Sequence, residues 1–132
     1  MVKKYKYKKY RGAGFVFITN NKNILLLKKI NNKWSLPGGR RDEGEYPLDT
    51  AIRETYEEVG MMPLGQIIMY LLTPAIDKTL CYTFIKRIDK QFLPTLSSEH
   101  IDYIWVDLKN IFDYKLTKTT KNVLLKLIKR KI

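Results

Sequence analysis

Residues Gly38–Met61, GGRRDEGEYPLDTAIRETYEEVGM, decide how this chain is read. Between Asp42 and Glu58 the stretch gathers seven of the 13 acidic residues of a 132-residue protein whose formal net charge is +12. Like charges repel, so such bunching costs stability unless cations or protons offset it. Pro47 suits the first turn of a helix, Asp49 its positive end and Gly60 the position just past its end, which predicts a helix over Pro47–Val59. Tyr46 is a poor N-cap for it. At about 100° per residue, Leu48, Ile52, Thr55 and Val59 fall on one side and are expected to be core, while Glu54, Glu57 and Glu58 share another arc. Glu54 and Glu57 are three residues apart, Glu54 and Glu58 four. Like charges at those spacings destabilise a helix by a few tenths of a kcal/mol per pair.

Three glutamates on one face are also what an ordinary solvated surface carries. The other reading is metal capture: a hard cation such as Mg²⁺ takes one or two carboxylates, keeps waters and accepts phosphate oxygens. Arg53, beside Glu54 and four residues before Glu57, can pair with the carboxylates and fix their rotamers. The glycines of PGGRRDEG let the preceding loop carry backbone carbonyls and Glu45 back over the helix, so that loop and helix form one site.

Outward from this stretch, GFVFIT and ILLLKK flank the turn-forming cluster Asn20–Asn23 and predict a hairpin over residues 14–29. A short strand is expected at Trp34–Leu36, and further strands at Gln66–Leu72, Leu80–Arg87 and within IDYIWVDL (101–108), the last preceded by a loop over Asp89–Ser98. From Leu116 onward, apolar residues at 116, 123, 124, 127 and 128 predict an amphipathic helix that caps the sheet. Together these elements imply an α/β (α+β) fold, a central mixed sheet with helices on both faces, whose strand order is not readable from the pattern. With no Ser/Gly/Pro-rich linker and no internal repeat, residues 1–132 are expected to form one domain.

The lone Cys81 sits in an apolar run, LCYTFI, and is expected to behave as a small core residue. The longest apolar run, IIMYLL, is far too short to span a bilayer, and nothing follows the charged N-terminus that would serve as a signal peptide. A soluble, intracellular, cytoplasmic protein is the expectation. Lys3, Lys4, Lys6, Lys8, Lys9 and Arg11 alternate with Tyr5, Tyr7 and Tyr10, and eight cations from Lys109 onward face Asp113 alone. Such termini attract polyanions, so RNA is a candidate partner through phosphate contacts and stacking; a terminus kept soluble by lysine is the plainer reading.

Gly39, five residues, Glu45, seven residues, then Arg53-Glu54-x-x-Glu57-Glu58-x-Gly60 and the apolar Met61 resemble the Nudix box, G-x5-E-x7-R-E-U-x-E-E-x-G-U, where U is bulky and aliphatic. Every fixed charged and glycine position is present, and Thr55 is the one departure. The WSLPGG run before the box and the Trp105 strand are also similar to small Nudix proteins.

The resemblance implies a metal-dependent hydrolase in which a water, activated by Mg²⁺ or Mn²⁺, attacks phosphorus in the diphosphate linkage of a nucleoside diphosphate derivative. It implies Glu57 and Glu58 as principal metal ligands, Gly38 as a backbone-carbonyl ligand, Glu54 as a further ligand or base, and Arg53 and Glu45 as orienting residues. Glu99, in SSEH before the Trp105 strand, is the candidate for a further carboxylate that binds metal or acts as base; His100, the only histidine, reads as a polar loop residue, with a role in catalysis as the alternative. Tyr5, Tyr7, Phe15, Phe17, Tyr70 and Tyr82 could stack on a base but are more often core, and none is assigned. The compact chain favours a small nucleotide substrate. Excess positive charge favours a 5′-capped or triphosphorylated RNA, and a non-catalytic nucleotide- or RNA-binding module or a membrane-surface protein are the remaining alternatives.

Overall fold

A computed structural model describes residues 10–75 and 77–132. The Lys/Tyr alternation before Tyr10, including Tyr5 and Tyr7, lies outside the described residues. The elements run β1 (Tyr10–Thr19), β2 (Asn23–Lys29), β3 (Trp34–Ser35), β4 (Gly38–Arg40), α1 (Pro47–Val59), β5 (Gln66–Pro74), β6 (Leu80–Ile88), β7 (His100–Asp107), a 3₁₀ helix (Leu108–Asp113) and α2 (Lys118–Lys129).

The hairpin forms where its turn residues predict, with Lys22 at φ 63° and its amide donating to the Thr19 carbonyl. Its strands pair only at Ile18 with Ile24. Beyond that neck β2 pairs antiparallel with β7, while Gly12–Gly14 of β1 take β4 as their antiparallel partner. Along its opposite edge β1 runs parallel to β6, and β5 lies antiparallel outside β6, which completes a mixed seven-stranded sheet. Gly14 makes the β4 contact possible. A side chain there would overlap the carbonyl oxygen of Pro37, to which Phe15 donates its N–H at 3.0 Å.

Alternation along β1 and β2 divides the core into two layers. Phe15, Phe17, Leu25 and Leu27 face α1 through Ala51 and Val59. Val16, Ile18, Ile24 and Leu26 face α2 through Val123, Leu124 and Leu127. The helices therefore cover both faces of the sheet, and each fully buried Leu, Ile or Phe contributes about 1.5–3 kcal/mol relative to exposure.

The buried arc of α1 differs from the expected one. Ala51, Thr55 and Val59 are buried, but Leu48 and Ile52 are each 36% exposed, and Glu58 is turned inward. The side chains that pack on the sheet are the small ones, so the helix comes close to it and its buried arc is rotated toward the glutamates. Thr55, the departure from the box, is fully buried, and among the described residues its Oγ1 has no hydrogen-bond partner. An orphaned buried hydroxyl costs about 1–3 kcal/mol. Thr55→Val keeps the shape and removes that cost, so it is expected to raise stability by about 1–2 kcal/mol in a denaturant titration; a loss of stability would show that the hydroxyl is partnered.

Other corrections are local. Leu116 lies before the terminal helix, in a parallel bridge with Trp34, because the Thr117 hydroxyl accepts from the Thr120 N–H and caps α2 there. Ile128 is exposed rather than core. Cys81 is half-buried on a groove wall, where burial pushes its thiol pKa up. Phe15 and Phe17 are core, Tyr82 is buried and Tyr70 exposed. Among the described residues no helix is long and apolar enough to cross a membrane.

Candidate active site

Arg53 ties the loop before α1 to the helix that carries it. Its Nε meets Glu45 Oε2 at 2.7 Å and Asp42 Oδ2 at 3.2 Å. Nη1 reaches Glu54 Oε2 at 3.0 Å and Glu57 Oε2 at 3.2 Å, and Nη2 donates to the Arg40 carbonyl at 2.8 Å. A planar fork with five donors on three nitrogens can span acceptors spread this widely; an ammonium, with three donors on one nitrogen, cannot. Glu45 accepts further from the Asp42 N–H and the Thr50 hydroxyl, each at 2.8 Å. Tyr10, from the central strand, places its hydroxyl 2.7 Å from Thr50 Oγ1 and donates to the Glu45 carbonyl at 2.8 Å. The hydrogen bonds from Arg53, which outweigh burial, hold the Glu45 carboxyl down at about 2, and Glu45 is in turn the main cause of a raised Arg53 pKa.

The carboxylates are not equivalent. Glu57 is half-exposed and turned to Arg53. Glu58 is only 5% exposed, and its Oε1 accepts the Gly38 N–H at 2.8 Å. Burial pushes its pKa up to about 8, against the pull of the Gly38 N–H, with the charges of Glu54 and Glu99 adding to the rise. Glu54 is raised as well, by burial first and then by Glu57 and Glu99, while Arg53 opposes. Gly39 is the cradle for this side chain: a Cβ there would overlap the Glu54 carboxylate.

The structure thus brings Gly38, Glu45, Arg53, Glu54, Glu57 and Glu58 together, and Glu99 lies near enough for its charge to act on Glu54 and Glu58. His100 is not a polar loop residue. It opens β7, is buried, and has no partner for Nδ1 among the described residues; burial and Lys29 lower its pKa. Sequence reasoning missed Tyr10 and Thr50, whose hydroxyls position Glu45. Thr50, three residues before Arg53, was within reach of a helical-spacing argument; Tyr10 was not.

Glu58, Gly38, Gly39 and His100 border a groove of about 290 Å³ that continues past Arg11, Lys29 and Arg40 to the first turn of α2. Among the described residues no three His, Cys, Asp or Glu side chains converge tightly enough to enclose an ion by themselves. A hard cation that binds through one or two carboxylates and completes its shell with water and phosphate needs no such cage. The side chains that could offer it oxygens are Glu54, Glu57, Glu58 and Glu99.

A family model for the NUDIX domain matches residues 8–127. The chain is 29% identical over 136 residues to a dihydroneopterin triphosphate diphosphatase from Haemophilus influenzae, covering 88% of this chain and 84% of that protein. It is 36% identical over 76 residues to an RNA pyrophosphohydrolase from a Psychrobacter species, covering 57% of this chain and only 42% of that enzyme. A C. elegans Ap4A hydrolase, solved as a binary complex, superposes with a TM-score of 0.76 at 22% identity over 89% of this chain and 95% of that one, a likeness of fold. The family match takes in the sheet, the carboxylate helix and its glycine loop together, and on that extent the chain belongs to the Nudix family of hydrolases.

Proposed function

We propose that the chain is a divalent-metal-dependent pyrophosphohydrolase that cleaves the diphosphate linkage of a nucleotide, with a nucleoside triphosphate or related small nucleotide as the minimal substrate. The observation that carries this reading is Glu58: a buried carboxyl with one donor among the described residues, raised to about 8 by burial and by Glu54 and Glu99. Folding alone gains nothing from such a group, and a bound Mg²⁺ or Mn²⁺ would take the place of its proton. The donor set fits the ion. Glu58 and Glu57, with the carbonyl of Gly38, would hold it, and Glu54 lies alongside in the space that Gly39 leaves open.

When bound, the ion neutralises phosphate charge and lowers the pKa of a water. The chain's own residues do the rest. Lys29, Arg11 and Arg40 on the groove wall attract the phosphates. Arg53 fixes Glu54 through Oε2 and leaves Oε1 to accept the proton of the attacking water, a role for which a raised pKa suits it. Glu99 is the second carboxylate able to take that proton. A new P–O bond forms from the water, the bridging P–O bond breaks, and the substrate leaves as two phosphate-bearing products.

The test is a panel of nucleoside triphosphates, dinucleoside polyphosphates, ADP-ribose and 5′-triphosphorylated RNA, with Mg²⁺ or Mn²⁺ and with chelator, read by product identity. Products of diphosphate cleavage that vanish on chelation are expected. No metal-dependent product from any member would replace this reading with that of a binding module.

A further inference from the structure

Between Tyr114 and Ile132 the chain carries seven cations and no acidic residue. Within α2, folding accounts for Val123, Leu124 and Leu127, which fill the core, and for Lys126, which donates to the Leu72 carbonyl. It does not account for Lys118 and Lys121. Both lie in or beside the first turn, at the positive end of the helix dipole, where a cation costs about 0.3–1 kcal/mol. They are also neighbours at a spacing of three, which adds repulsion. α1 has Asp49 at the matching place; α2 has no acid there. Lys118, Lys121 and Lys129 are exposed on one face of the helix, and among the described residues none forms an ion pair. Asn122 and Leu125, the latter 45% exposed, share that face.

The position of this face gives the charge a use. Thr117, Thr119 and Thr120, at the start of α2, line the same groove as Glu58 and Gly38. From there the helix runs roughly 18 Å to a second cavity, of about 530 Å³, bordered by Ile128, Lys131 and Ile132 together with Lys22, Lys109 and Asp107. That cavity lies beside the β1–β2 turn, at the other end of β1 from the carboxylates. Cations therefore continue from the groove mouth to the far end of the sheet. A free nucleotide seated in the groove is too short to reach Lys129. A linear polyanion reaches it, with Leu125 between the lysines as an apolar rest for a base.

We infer that the outward face of α2 is a track for the body of a 5′-polyphosphorylated RNA whose terminal phosphates occupy the groove. The inference rests on the phosphoanhydride reading above and names the substrate class of that same site. No appended recognition domain is needed, because the helix that covers the sheet supplies the surface.

The test compares kcat/KM for 5′-triphosphorylated oligoribonucleotides of increasing length with that for the mononucleotide, in the parent and in a triple variant carrying Lys118→Gln, Lys121→Gln and Lys129→Gln. In the parent, the oligonucleotide-to-mononucleotide ratio is expected to rise over the first few nucleotides, by about 10- to 100-fold in total. The variant loses most of that rise, and its salt slope is shallower by about 2, given roughly 0.7 per phosphate contact on a single strand. A ratio that does not depend on length, or that the variant leaves unchanged, overturns the inference. So does sedimentation of the parent, and not the variant, with phosphatidylserine vesicles while the ratio stays flat. If no substrate of any length is hydrolysed, it is the phosphoanhydride reading that fails. Anisotropy with a labelled 5′-triphosphorylated oligonucleotide then still decides the track: weaker binding by the variant supports it, equal binding ends it.

Discussion

Glu58→Gln is expected to make the metal-free protein more stable while removing its catalysis. The wild-type carboxyl is buried and pushed up from an ordinary 4.5 to about 8. Below the ordinary value both folded and unfolded chains carry the proton; between the two values only the folded chain does. Stability of the metal-free protein therefore falls as pH climbs through that window. At 1.36 kcal/mol per unit the loss approaches roughly 4 kcal/mol by pH 8. Glutamine keeps an oxygen for the Gly38 N–H and does not titrate, so its melting temperature is expected to exceed the parent's by several degrees at pH 8 and to converge with it near pH 4.5. If Glu58 holds the ion as proposed, its loss is expected to remove several kcal/mol of transition-state stabilisation, a fall in kcat/KM of about 10³-fold. Equal shifts at both pH values, or activity within tenfold of the parent, would contradict this account of Glu58.

Arg53 produces the second large effect, and two substitutions separate its parts. Arg53→Ala leaves Glu45 and Glu54, both mostly buried, without their cation. With partial solvent screening, the expected loss is about 2–3 kcal/mol together with a 10²- to 10³-fold fall in kcat/KM. Lysine restores charge but cannot span Glu45, Glu54 and the Arg40 carbonyl at once. Arg53→Lys should therefore regain most of the stability and little of the activity. The depressed Glu45 pKa gives a further signature. Its contribution is fully present above an ordinary carboxylate value of 4.5 and is lost as pH falls toward about 2, so Arg53→Ala should flatten the acid limb of the stability profile. Activity that recovers along with stability in the lysine variant would mean that Arg53 is structural only.

The sequence reveals most where the determinants are local. Pro47, Asp49 and Gly60 bound α1 at the residues where it starts and stops, and the three- and four-residue spacing of Glu54, Glu57 and Glu58 brings them together whatever surrounds the helix. The arc of α1 that meets the sheet is not local: it depends on β1 and β4 approaching closely through glycine, and so Ala51 is buried where Leu48 and Ile52 were expected. The same distance effect hides the hairpin's early parting, since the partners that replace β2 along β1 come from residues 38–40 and 80–88. Tyr10 reaches Glu45 across 35 residues, beyond any pattern in the chain. His100 reads as polar because its neighbours in SSEH are polar, whereas pairing of β7 with β2 carries it inside. The 3₁₀ helix Leu108–Asp113 has no apolar period to announce it.

Titration of Mn²⁺ into the protein, by calorimetry at pH 7 in two buffers of different ionisation enthalpy, tests most directly whether a divalent ion accounts for the glutamate cluster. The expected result is uptake coupled to release of about one proton per ion from Glu58, fading at pH 9 and absent in Glu58→Gln. No heat of Mn²⁺ binding, with or without a non-hydrolysable nucleotide, or uptake with no proton released, would contradict it.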